Sequence, residues 1–163
     1  MKRFIWTLML ATLALTASSQ KSADAIFDSL RDKDGYVTVN INGGLLKLAA
    51  LFEDDDKDLE MMASTVSQIR IIAQEDNREA DPQFYQNILK QLDSSNYEEF
   101  MDIQSSGTRA KILVRLEGNV FTEFLMVVGG DDNALIQIKG KMTESDIKRM
   151  AEDIHYERDG FFR

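Results

Sequence analysis

The chain has 163 residues, with 28 Asp and Glu against 19 Lys and Arg, for a net charge of −9. That balance excludes a surface built to attract nucleic acid or anionic lipid, both of which call for clustered Lys and Arg. There is no Cys and only one His, which excludes disulfide staples and an ordinary structural zinc site.

Met1-Lys2-Arg3 is basic, Phe4 to Ala14 is apolar, and Ala17-Ser18-Ser19 is small. This is the pattern of a secretory signal peptide, with cleavage expected near Ser19-Gln20. The apolar run is shorter than the roughly 20 residues a membrane span needs. Residues 1–19 are therefore read as signal peptide and 20–163 as a single α+β domain. The product is expected to be exported to the periplasm or extracellular space and to be soluble, with no stable membrane anchor. Losing Lys2 and Arg3 moves the net charge from −9 to −11.

Ser22 is placed to cap a short helix with Ile26, Phe27 and Leu30 on one side. Asp32-Lys33-Asp34-Gly35 ends it. Tyr36 to Ile41 alternates as a strand, with Val37, Val39 and Ile41 expected toward the core. Asn42-Gly43-Gly44 breaks it. Leu45 to Phe52 reads as a helix with Leu45, Leu48, Ala49 and Phe52 in one stripe, and a second helix runs from about Asp56 to Ser64. Val66 to Gln74 is a strand, with Ile69, Ile71 and Ala73 opposite Arg70 and Ile72. Asp81-Pro82 opens a helix whose Phe84, Tyr85, Ile88, Leu89 and Leu92 form a wide apolar stripe. Met61, Met62 and Met101 read as core filler.

From Tyr97-Glu98-Glu99-Phe100 onward, apolar runs alternate with turn residues at short spacing, as in an antiparallel meander. The reversals fall at Ser105 to Thr108, at Gly118-Asn119 and at Gly129 to Asn133. In the run Val120 to Val128, Phe124, Met126 and Val128 share one face. Phe121, Leu125 and Val127 share the other with Glu123. Apolar residues on both faces place this strand centrally. Glu123 is expected as a solvated pair with Lys111 or Arg115. Thr143-Glu144-Ser145-Asp146 matches a capping box in its acidic form. Behind it Ile147, Met150, Ala151 and Ile154 form the inner face of a last helix, and Gly160-Phe161-Phe162 a tail.

The sum is an α+β, two-layer sandwich. A mixed sheet of about six strands ends in an antiparallel meander and carries helices mainly on one face. The first two strands, separated by helical segments, are candidates for parallel pairing.

No residue set carries chemistry. Asp54, Asp56 and Asp58 have the odd-position spacing of a calcium loop. Leu59 stands where that loop needs Gly, and Thr65 where it needs a bidentate Glu. Asp131-Asp132-Asn133 reads as a turn. His155 has no Gly-x-Ser-x-Gly partner motif. Glu98 and Glu99, adjacent on a strand, point to opposite faces. Gly43-Gly44 and Gly129-Gly130 lack the residues that make a phosphate loop. Catalytic, cofactor-binding and metal-binding residues are therefore each expected as none, with no cofactor.

The order Gly35-Tyr-Val-Thr-Val39, Tyr97-Glu-Glu-Phe-Met101, Glu123-Phe-Leu-Met-Val127 and Ile136-Gln-Ile-Lys-Gly140 resembles a family of small exported Bacteroidetes proteins known only as a domain of unknown function. The resemblance covers about residues 25–155. It implies an exported, non-enzymatic protein, with relatives encoded near envelope-responsive sigma factors, and it hands over no catalytic residue. Some relatives carry a lipobox Cys, which this chain lacks. The expected function is thus unknown in detail. It is most simply a non-catalytic periplasmic or envelope module that binds an envelope protein or small ligand, with no role for nucleic acid. An open face at Phe121, Leu125 and Val127 would be its site. The alternatives are an envelope hydrolase with no recognisable motif and a subunit of an envelope assembly joined through a sheet edge.

Overall fold

The computed structural model describes residues 20–52, 57–75 and 78–148. The signal peptide, Asp54 and Asp56, and the segment holding Met150, Ala151, Ile154, His155 and Gly160-Phe161-Phe162 lie outside them. The elements in order are α1 (Ala23–Leu30), β1 (Tyr36–Asn42), α2 (Gly43–Ala50), α3 (Lys57–Thr65), β2 (Val66–Gln74), α4 (Phe84–Gln91), a 3-10 turn (Ser94–Asn96), β3 (Glu98–Ser105), β4 (Thr108–Glu117), β5 (Val120–Gly129) and β6 (Ala134–Met142).

The six strands form one sheet in the order β1-β2-β6-β5-β4-β3. Every neighbour pair is antiparallel. The α+β sandwich stands, but the sheet is not mixed. The reason lies between β1 and β2. The α2–α3 helical pair brings the chain back to the end of the sheet it left, so β2 runs down beside β1, with Asn42 opposite Gln68. A parallel pair would need a crossover to the far end. β5 is interior, as its two apolar faces require.

Local chemistry sets the boundaries. The Ser22 hydroxyl accepts from the Ala25 N–H at 3.2 Å and starts α1. The Asn42 side chain accepts from the Leu45 N–H at 3.0 Å and starts α2. Thr143 and Asp146 form the capping box reciprocally. The Thr143 N–H donates to Asp146 Oδ2 at 2.7 Å, and the Asp146 N–H donates to Thr143 Oγ1 at 3.4 Å. Asp81-Pro82 forms a turn two residues ahead of α4 rather than its first turn.

The main core lies between one face of the sheet and α1 with α4. Ile26, Phe27, Phe84, Ile88 and Leu92 pack on Ile72, Leu113, Leu125, Val127 and Leu135. Tyr36 joins it by stacking on Phe84, ring centroids 5.7 Å apart. A smaller cluster at one end of the opposite face joins Leu46 and Ala63, of α2 and α3, to Val66 and Met142, with Ile147 packed alongside.

This arrangement corrects four expectations. Val37 and Val39 are 50% and 40% exposed. Alternation fixes which residues share a face, but α4 claims the Tyr36 face. Leu45, Leu48 and Phe52 point outward, and it is Leu46 of α2 that is buried, with Ala50 packed beside it. Met101 is 44% exposed rather than core. Phe121 shares a side with Phe124, stacking on it at 5.5 Å, because a register shift between Phe121 and Glu123 inverts the alternation.

Candidate functional site

Two features of the sheet hold the chain's uncommon chemistry. One is a polar cluster on the helix-covered face. Glu123 is 3% exposed. It accepts from the Tyr97 hydroxyl at 2.8 Å and from the Gln137 amide at 2.5 Å, and pairs with Arg115 at 3.1 Å. The Arg115 guanidinium lies over the Tyr97 ring, 4.6 Å from its centroid. Gln137 accepts from Arg70 Nε at 2.7 Å. Arg70 in turn pairs with Asp24 in the first turn of α1 and stacks on Phe27 at 4.5 Å. Lys139 donates to both Asp24 oxygens at 2.7 and 2.8 Å.

Electrostatics follow from these contacts. Burial raises the Tyr97 phenol well above its ordinary value, and the Glu123 carboxylate raises it further. Partial burial would raise Asp24, but its bonds from Lys139 and Gln137 outweigh that and hold it low. Hydrogen bonds from Lys111 to Glu99 and Asp102 raise the lysine. Register explains why the cluster exists. Glu123 faces Lys139 and Arg115 on its two neighbours, and Gln137 faces Arg70, so their side chains share one face. The partner named for Glu123 was right in Arg115. The solvated setting was wrong, because α1 and Tyr97 close over the pair. Each carboxylate oxygen of Glu123 already has a donor, so the cluster fastens helix to sheet.

The opposite face is of another kind. Its side chains form rows that run across all six strands. One row is Ile103, Ala110, Val128, Ala134, Ala73, Val37, and the next is Met101, Ile112, Met126, Ile136, Ile71, Val39. A third, Val114, Phe124, Ile138, Ile69, Ile41, is the one the α2–α3 end cluster reaches. In the first two rows every residue is apolar and none is buried. Val37, Val39, Met101 and Ile103, on the two outer strands, are each at least 40% exposed. With six strands about 4.8 Å wide and two rows about 6.8 Å tall, the open area is roughly 29 Å by 14 Å.

The expected site at Phe121, Leu125 and Val127 is therefore overturned. Leu125 and Val127 are 0% exposed beneath α1 and α4. The open face is that of Phe124, Met126 and Val128, on whose Met126 and Val128 end no described helix lies. The signal was in the sequence: β2, β4 and β5 carry apolar residues at both parities.

The remaining candidates fall where turns need them. Asn133 is buried, donating to Gln74 Oε1 and to the Asp81 carbonyl, each at 2.9 Å, and Asp131 stands in the same reversal. Gly43 and Gly44 open α2. Glu99 pairs with Lys111 at 2.7 Å while Glu98 faces away. Among the described residues no group of three or more His, Cys, Asp or Glu could hold a metal ion. No described helix is long and apolar enough to cross a membrane.

A family model described as a domain of unknown function (DUF4252) matches residues 27–150. No curated protein and no solved structure matches the chain.

Proposed function

On the premise that the chain belongs to this domain-of-unknown-function family, we propose that it is an exported, non-catalytic binding module that holds an amphipathic helix of a partner protein across the open rows of its sheet. The observation that carries this is the pair of complete apolar rows with no buried member. An exposed patch of that extent on a soluble domain is the mark of an interaction surface. Its extent decides between partners. A small ligand needs a concave pocket that encloses most of its surface, whereas a strip about 14 Å tall takes one helix of about 10–12 Å diameter. The net charge of −9 favours a helix with a basic polar side.

Export is supported by the basic, apolar and small-residue order of residues 1–19. A Bacteroidetes source and a place in the envelope response rest on the resemblance drawn from the sequence. The test uses two synthetic amphipathic helices with one apolar stripe, flanked by Lys in one and by Glu in the other. Their binding is followed by fluorescence anisotropy. The Lys-flanked helix is expected to bind the chain more tightly. The double variant Met126→Lys, Ile136→Lys should weaken it by about tenfold or more. Unchanged affinity in that variant would remove the open face from the account.

A further inference from the structure

We infer that β1 is a pairing edge for a second copy of this chain, giving a two-fold dimer in which two β1 strands run antiparallel and the two sheets become one. The two outer strands of the sheet differ in kind. β3 is defended: it carries Glu98, Glu99 and Asp102, and its pairing with β4 is broken by a register shift between Glu99 and Met101. Charges and bulges are the ordinary means of stopping an edge from recruiting another strand. β1 has neither. Its seven residues pair one-to-one with β2, from Tyr36 opposite Gln74 to Asn42 opposite Gln68, with no shift. It contains no Pro and no charge. Among the described residues no strand lies on its outer side.

The occupant follows from charge. Gly35 to Leu46 is the longest uncharged run among the described residues of a chain that is 29% charged. In a two-fold antiparallel contact residue i meets j and j meets i, so with all seven residues of β1 paired a charge at Asn40 would lie diagonally beside its own copy across the axis at Val39. Two copies at −9 each repel over most of their surfaces, and β1 is the described edge along which they can meet without a like-charge pair. A partner chosen for opposite charge would gain nothing there. Pairing two β1 strands over their full length also sets Val39 beside Val39 and Val37 beside Ile41, so the apolar face runs on across the junction.

This inference rests on the edge and not on what the open face holds, and the experiment keeps the two apart. Sedimentation velocity on the protein as cells produce it is expected to give a dimer in the micromolar range. Asn40 is exposed on the side of β1 away from the open rows. Asn40→Lys and Asn40→Asp should each give a monomer, and an equimolar mixture of the two should restore the dimer, which loss of folding could not do. Ile136→Lys should leave the dimer intact. A monomer for the unaltered chain at every concentration would overturn the inference. So would a dimer that survives both Asn40 substitutions or is lost only in Ile136→Lys, which would indicate packing face to face.

Discussion

Glu123→Ala removes the acceptor at the centre of the polar cluster. Three donors lose their partner: the Tyr97 hydroxyl, the Gln137 amide and the Arg115 guanidinium. A buried neutral donor left without an acceptor costs about 1–3 kcal/mol. Arg115 is 35% exposed, so water reaches part of its head and its share falls at the low end of what breaking a buried ion pair costs. Gln137 keeps a weak bond to Asp24 at 3.3 Å. The expected loss is about 4 kcal/mol, a large part of the 5–15 kcal/mol that stabilises an ordinary domain. In a urea titration with a slope of about 2 kcal/mol/M, the midpoint should fall by about 2 M. The triple variant Glu123→Leu, Arg115→Met, Tyr97→Phe removes the acceptor with two of its three donors, leaving Gln137 its bond to Asp24, and it is expected to lie within about 1.5 kcal/mol of the unaltered chain. A Glu123→Ala shift below about 1 kcal/mol would refute the reasoning, as would a triple variant less stable than the single.

Leu125→Ala, beneath the helices, is expected to cost about 3 kcal/mol, whereas Val39→Thr on the open rows should stay within about 0.5 kcal/mol. Chemical denaturation of the two variants side by side reads out which face is covered. The Tyr97 phenol is raised on folding, so its contribution is fully present below the unfolded value near 10 and is lost as pH rises through the folded value. Thermal melts of the unaltered chain should therefore fall more steeply above pH 10 than those of Tyr97→Phe. Gly130 sits at φ 143°, where a Cβ would collide with the Gly107 carbonyl oxygen. Gly130→Ala is expected to lower stability by about 2 kcal/mol or more in the same titration.

The strands were legible because their periodicity is strong. Val66 to Gln74 is β2 to the residue, and the glycine turns at 107, 118 and 130 sit at positive φ, as their chemistry demands. What alternation cannot supply is the sign of a face. Tyr36, Thr38, Asn40 and Val37, Val39, Ile41 are two parities of one strand. Choosing the aliphatic one for the core is sound for an isolated hairpin, but fails when Phe84 of a distant helix stacks on the tyrosine. The same gap turned the α2 stripe outward. A bulge is equally silent in sequence: one residue of slip between Phe121 and Glu123 moved the phenylalanine to the other side. The polar cluster was half visible. Arg115 opposite Glu123 followed from the hairpin, but Asp24, Arg70 and Gln137 come from elements brought together only by strand order, which the sequence left open.

The open rows also limit how the protein can hold a partner. Covering roughly 400 Å² of apolar surface at about 25 cal/mol per Å² yields about 10 kcal/mol. Ordering two bodies into one costs about 4–15 kcal/mol, so the face of a single copy binds weakly at best. Two copies joined along β1 would present an apolar face twelve strands long, roughly 58 Å at the usual strand spacing. A partner with two apolar segments, or one long helix, then meets its second site by tether rather than by diffusion, which multiplies affinity without any new contact. Among the described residues, the unguarded edge and the uncovered face thus have one physical explanation in common. A strip that holds a partner weakly alone holds it more tightly when doubled, and the strand that doubles it is the one kept free of charge.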